Sequence, residues 1–468
     1  MSSSPMNNYQ DFIENNFVFP QDEFEVENNQ LIFNEVPIMD LIKKYGTPLK
    51  LTYLPKISQN IQRSKKLFNV GIAKVDYKGT YHYCYCTKSS HFSFVLDEAL
   101  KNDIYLETSS AFDIPIIKTL QQSKKIGKDM TIICNGYKRP NYQQAICDLV
   151  NDSWTNVLPI LDNLDEITYY EKNMKKHCNM GIRIACAEEP DNEFYTARLG
   201  VRASEIINLY EQKIKGSKKF KLKMLHFFIN TGIKDNPYYW NELSKNIRIY
   251  CALKKVCPEL DSIDIGGGFP IKTSLSFKYD YEFMAEHIVK TIKEICNDEG
   301  VDEPNIYTEF GSYTVGESGA IIYSVIDTKQ QNDNELWYMI DSSFITTLPD
   351  TWGIKQQFVF LAINNWDKEF DVVNLGGITC DGEDFYNYEE KDNNQIFLPK
   401  YDKKNPLYIG FFHTGAYQES IGGYGGIQHC LIPSPKHILI DKDGEGGYTT
   451  KLFAKEQSAK SMMNILGY

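Results

Sequence analysis

Long apolar runs are missing from this chain of 468 residues. Nothing approaches the roughly 18 uninterrupted apolar residues that a membrane helix needs, so no spanning segment is expected. An excess of basic charge is missing too. Lys and Arg number 50 against 62 Asp and Glu, a net charge of −12, which argues against nucleic acid as the main partner. Cysteines number 11, an odd count, and show no paired metal spacing. Cys84 and Cys86 lie two apart without a CxxC companion. Reduced thiols in a cytoplasmic protein are expected, and no metal site. The opening Met1-Ser-Ser-Ser-Pro-Met-Asn-Asn8 lacks a basic segment followed by an apolar core, so it does not read as a secretory signal. Internal repeats, low-complexity linkers and coiled-coil heptads are also lacking.

What is present is a chain long enough for two domains. Short apolar runs recur at Leu49–Leu54, Tyr83–Cys86, Ile104–Glu107, Thr131–Cys134, Val157–Leu161, Ile182–Ala185, Met224–Ile229, Ile263–Ile265 and Ile306–Glu309. Amphipathic, Lys/Glu-rich stretches separate them, among them Phe92–Asn102, Pro140–Asn151, Ala203–Lys213 and Tyr281–Asn297. Strand-then-helix alternation of this kind builds a parallel sheet. Counted from the Tyr83 run there are eight strands, which predicts a closed (β/α)8 TIM-like barrel over residues 48–319. After residue 320 the pattern changes. Apolar runs such as Ala320–Ile326, Trp337–Ile340, Gln357–Ala362 and Pro406–Phe412 are separated by Asn, Asp, Gly and Lys loops. Residues 320–468 therefore read as a second, mainly antiparallel β domain. The segment 1–47, with Leu31-Ile-Phe33 and Val36-Pro-Ile38, is expected to join it.

In a barrel of this type the chemistry sits at the C-terminal ends of the strands. The tyrosine-rich strand Tyr81–Cys86 delivers Lys88 to that rim, and an amine there can form a Schiff base with a carbonyl. Later strand ends bring Glu107, Ser109 and Asp113, then Asn135, Asp162, Asn230 and Thr231. The seventh brings Gly266, Gly267 and Gly268, and the eighth Glu309. A glycine triplet lets backbone N–H groups approach a phosphate, and Thr231 adds a hydroxyl. In the second domain Gly377-Ile-Thr-Cys-Asp-Gly-Glu-Asp384 sets a thiol among three acids. Cys380 is a candidate proton donor, and Asp381 or Asp384 a candidate partner for a cationic group. His413-Thr-Gly-Ala-Tyr417 offers a phenol in a glycine-containing loop.

The order of lysine, Gly-Gly-Gly-Phe-Pro, Glu-x-Gly, Cys-Asp-x-x-Asp and Gly-Ala-Tyr resembles the fold-type III pyridoxal 5′-phosphate (PLP)-dependent decarboxylases of basic amino acids. The resemblance covers almost the whole chain and is greatest to the short arginine decarboxylases of bacteria. It implies PLP as cofactor and α-decarboxylation of L-arginine to agmatine and CO2, in polyamine biosynthesis. Ornithine, lysine, carboxynorspermidine and diaminopimelate are alternative substrates, and a non-catalytic regulatory binding protein is a further alternative.

Carried over residue by residue, the resemblance makes Lys88 the Schiff-base lysine and Glu309 the partner of the pyridine nitrogen. Glu107 matches the acid after the second strand, Gly266 to Gly268 the phosphate loop, and Tyr417 a phosphate-binding tyrosine. Cys380 matches the proton donor and Asp381 the substrate acid, with Asp384 and Asp341 as further candidates. In this family the cysteine loop acts in the other subunit's site, which implies a homodimer. Two positions depart from the pattern. The family's His-x-Gly-Ser aligns with Phe228 to Thr231, so a phenyl ring stands at the stacking position. Its Glu-Pro-Gly-Arg is here Glu309-Phe-Gly-Ser312, so Ser312 replaces a phosphate-binding arginine.

Overall fold

The computed structural model describes residues 8–189, 193–386 and 395–468. The chain forms two compact units. One is Ser58–Pro270 with Tyr279–Thr314; the other joins the residues up to Ile57, Ile271–Lys278 and everything from Val315 on.

In the first unit eight parallel strands close a barrel in chain order: Tyr81–Cys86, Tyr105–Thr108, Ile132–Cys134, Val157–Leu161, Cys178–Arg183, Phe220–His226, Ser262–Asp264 and Asn305–Phe310. Cys84, Ile133, Ile160 and Met224 form one buried cluster inside it. Gly181 makes room for that cluster, since a Cβ there would come 2.5 Å from Ile160 Cδ1. The helices follow their sequence pattern. In Tyr281–Glu299 the buried residues Tyr281, Met284, Ala285, Ile288, Val289, Ile292, Ile295 and Cys296 recur at helical spacing. Asp280 caps its start by accepting from Phe283 N at 2.9 Å, and Gly300 at φ 68° ends it.

The second unit holds a ten-stranded sheet and a three-stranded one, Phe24–Glu27, Gln30–Phe33 and Val36–Pro37. The larger sheet is mostly antiparallel. Two of its pairings are parallel: Leu49–Tyr53 with Lys436–Lys442, and Glu335–Ile340 with Phe370–Gly376. Trp366, Phe411, Phe412 and Tyr323 are among its fully buried side chains. The boundary expected at residue 48 moves accordingly. Leu49–Tyr53 is buried at all five positions and pairs on both edges, with Gly319–Asn332 and Lys436–Lys442, inside this sheet. Backbone polar groups buried that deeply need a neighbour on each side. No helix among the described residues is long and apolar enough to cross a membrane.

Candidate active site

Lys88 lies in a single 3-10 turn, Thr87–Ser89, that leaves the first barrel strand. Thr87 Oγ1 donates to the Glu107 carbonyl at 3.0 Å and to Asp113 Oδ1 at 3.1 Å, which ties the turn to the second strand. Lys88 Nζ thereby comes 2.5 Å from Glu107 Oε2. Glu107 is fully buried while the lysine side chain is 40% exposed. Asp113 organises this corner. It accepts from the amides of Ser109 and Ser110, both at 2.9 Å, and His91 Nε2 lies 2.8 Å from its Oδ1. Burial pushes the Asp113 carboxyl up, but the His91 and amide hydrogen bonds together bring it below the usual carboxylate range.

A second group fills the barrel interior at the ends of the third, sixth, seventh and eighth strands. Asn135 Nδ2 lies 2.7 Å from Glu309 Oε1 and 3.0 Å from Oε2. His226 and Asp264 are register partners on adjacent strands. His226 Nδ1 sits 3.2 Å from Asp264 Oδ2, a short contact off the line of a well-directed hydrogen bond, and its Nε2 is 3.9 Å from Glu309 Oε2. Burial pushes the His226 imidazole down to about 4, so it is neutral at pH 7. Burial pushes Asp264 up to about 6. Glu309 is also raised, first by burial and then by the Asp264 charge. Buried carboxylates thus outnumber cations here, and a cationic heterocyclic N–H against Glu309 would relieve the imbalance.

The glycine loop fits a phosphate-bearing cofactor in shape. Gly266 and Gly268 take φ values of 71° and 116°, which disfavour any side chain. A Cβ on Gly267 would lie 2.2 Å from the Glu309 carbonyl, and one on Gly268 would lie 2.6 Å from Gly232 Cα. Thr231 Oγ1 is a buried hydroxyl with no hydrogen-bond partner among the described residues. A phosphate oxygen would satisfy it. The triplet is not uniform, because Gly266 N already donates to Asp264 Oδ1 at 2.9 Å. Phe228 is half-buried, with its ring edge 3.0 Å from where a Gly266 Cβ would stand. Ser312 is half-buried at the start of the short helix Ser312–Val315.

The chain belongs to the pyridoxal-dependent decarboxylase family. The pyridoxal-binding domain of these enzymes matches residues 59–316, more than half of the chain. Its cofactor is pyridoxal 5′-phosphate. The biosynthetic arginine decarboxylase of Prochlorococcus marinus (strain MIT 9515) is 22% identical, over 91% of this chain and 83% of that protein. The solved structure of the biosynthetic arginine decarboxylase from Campylobacter jejuni superposes with a TM-score of 0.80 at 20% identity, covering 98% of this chain and 90% of that one. Lysine decarboxylase from Selenomonas ruminantium has the same fold at a TM-score of 0.66 and 18% identity, over 85% and 93% of the two chains.

The remaining candidates of this decarboxylase lie in its β unit. Cys380 and Asp381 are exposed on the loop after Phe370–Gly376. Cys380 Sγ lies 3.5 Å from Cys430 Sγ, and the hydrogen bond and charge of that neighbour push the Cys380 thiol up. Asp381 Oδ1 accepts from Glu383 N at 2.8 Å. Asp384 is turned into its own loop. It is buried and accepts from Ser343 Oγ, Phe344 N, Ile345 N, Thr379 N and Thr379 Oγ1 at 2.7–3.4 Å. A carboxylate with that many donors is spent on holding the loop. Asp341 is likewise engaged, accepting from Ser324 N at 3.0 Å, and burial raises its carboxyl. Tyr417 is half-buried at φ 66°, at the start of the helix Gln418–Gly422.

Sequence reasoning missed His226 and Asp264 as site residues. The signal was present: each is a polar residue inside an apolar strand run, Met224-Leu-His-Phe-Phe and Ile263-Asp-Ile265. A polar group in a buried strand needs a reason to be there. Asp162, read only as a rim residue, accepts from Gly200 N at 2.9 Å and so orders a loop.

Proposed function

We propose that this protein is a homodimeric, cytoplasmic arginine decarboxylase that converts L-arginine to agmatine and CO2. The observation that carries the reading is the Lys88–Glu107 contact in the same barrel as Glu309 and an unsatisfied Thr231 hydroxyl. The named arginine decarboxylases among its relatives supply the substrate. Eleven cysteines without a disulfide suit a reducing compartment.

Pyridoxal phosphate, when bound, supplies an electron sink for the pair released from the breaking Cα–carboxylate bond. Lys88 would hold the cofactor through its amine, the group that can bond a carbonyl carbon. Glu107 keeps the Lys88 amine positioned. Glu309, oriented by Asn135, holds a proton on the ring nitrogen. Gly267, Gly268, Thr231 and Ser312 would hold the phosphate and Phe228 would pack against the ring, while for Tyr417 of the β unit a phosphate role rests on the family resemblance alone. Cys380 of the other chain gives its Sγ proton to Cα in place of the departed CO2. Asp381 pairs with the guanidinium, whose fork suits a carboxylate.

The test is amine and CO2 formation from arginine, ornithine, lysine, diaminopimelate and carboxynorspermidine. Arginine should give the highest kcat/KM, and Lys88→Ala should lower turnover at least about a thousand-fold. Wild-type rates in Lys88→Ala would sink the mechanism; a different best substrate would sink the specificity.

A further inference from the structure

Nine of the eleven cysteines are buried, and the two exposed ones face each other. Cys380 and Cys430 are 50 positions apart in sequence, yet their sulfurs lie 3.5 Å apart, and His429 Nε2 lies 3.8 Å from Cys380 Sγ. All three donor atoms fall within 4.8 Å of one another. Cys430 and Leu431 both take φ 53°, a conformation uncommon for side-chain-bearing residues, within the turn that presents His429 and Cys430.

We propose that Cys380, His429 and Cys430 form a binding site for a thiophilic divalent metal, with Zn2+ the best fit, and that its occupancy withdraws the Cys380 thiol from catalysis. The first half rests on geometry alone; the second rests on the proton-donor role given to Cys380 above.

The distances favour a metal over a covalent link. Tetrahedral zinc with Zn–S near 2.3 Å and Zn–N near 2.05 Å sets sulfurs about 3.8 Å apart and S to N about 3.6 Å apart. The observed 3.5 and 3.8 Å match that tetrahedron with shifts of tenths of an ångström. A disulfide would need the sulfurs to close to about 2.05 Å. Two thiols and an imidazole select zinc over magnesium or calcium, which prefer oxygen donors. Three protein ligands leave a fourth position for water. Binding releases the two thiol protons and leaves both sulfurs as metal-bound thiolates, so Cys380 has no proton to deliver.

The experiment titrates reduced, pyridoxal-loaded enzyme with Zn2+, and in parallel with Co2+ as a spectroscopic probe. One metal per chain and a thiolate-to-cobalt charge-transfer band are expected, together with loss of decarboxylation that a chelator reverses. Cys430→Ser and His429→Ala should decarboxylate normally without metal, because neither residue is part of the catalytic set. Each should weaken Zn2+ binding at least ~100-fold, more than the loss of an outer-sphere partner costs. Absence of stoichiometric binding, or binding that Cys430→Ser leaves intact, overturns the site. Metal bound through Cys430 with activity undiminished overturns the inhibitory half and counts against Cys380 as the donor.

Discussion

Asn135 reaches both oxygens of Glu309, at 2.7 and 3.0 Å, from a strand on another part of the barrel wall. An amide straddling a buried carboxylate fixes the carboxylate's plane without adding charge. Asn135→Ala should therefore retain pyridoxal phosphate but lower kcat by about 10- to 100-fold, the worth of a hydrogen bond to a charged group. Steady-state CO2 release checks this, and a change confined to KM would count against it.

The pH dependence of stability follows from Asp264. Its carboxyl rises from an ordinary 3.8 to about 6 in the folded protein. The folded state therefore binds the proton more tightly than the unfolded state. The associated stabilisation is complete below pH 3.8 and is lost as pH rises through about 6. Asp264→Asn removes this titration while keeping an acceptor for Gly266 N. The pyridoxal-free wild type should lose stability relative to the variant as pH rises across that window, by on the order of 3 kcal/mol. Denaturant melts at a series of pH values read the difference directly; parallel curves would refute the assignment.

We expect Asp384 to anchor the Cys380 loop, since it accepts from Thr379 N and Thr379 Oγ1. A Cβ on Gly377 would fall 2.3 Å from its carboxylate oxygens, so the loop is shaped around this side chain. Asp384→Ala strands several buried donors and should cost about 2–4 kcal/mol in thermal or denaturant unfolding. The variant's Cys380 should also react faster with a thiol reagent. A substrate-binding role predicts the opposite pattern: raised KM with stability unchanged.

By the family resemblance, Thr231 and Phe228 stand where related chains carry other groups. Thr231→Val removes the orphaned hydroxyl while keeping its shape. It should weaken pyridoxal phosphate binding about tenfold and spare binding of the unphosphorylated aldehyde. Phe228→Ala should weaken both forms, because an aromatic contact worth about 1 kcal/mol does not depend on phosphate. Equilibrium dialysis of each variant with the two ligands separates them.

Much of this protein was legible in order of residues. The strand ends carrying Lys88, Glu107, Thr231 and Glu309 were readable because strand-helix alternation has a period and a polarity. Asp384's partners were not legible, because an acid in a loop looks the same whether it faces a ligand or a row of backbone amides. Leu49–Tyr53 is equally instructive, since an apolar run before a barrel does not reveal which sheet will pair it.

Local chemistry along the chain determined the barrel, the β unit and the cofactor class. Periodicity, glycine conformational freedom and nucleophile type are properties of short segments. Only tertiary structure decided which carboxylates are buried and engaged by other groups. It placed Asn135 on Glu309, set neutral His226 beside Asp264, consumed Asp384 in a loop, and brought Cys380 to Cys430. Hydrogen-bond partnership, burial and the pKa shifts they cause arise between residues far apart in sequence, so no segment read alone contains them.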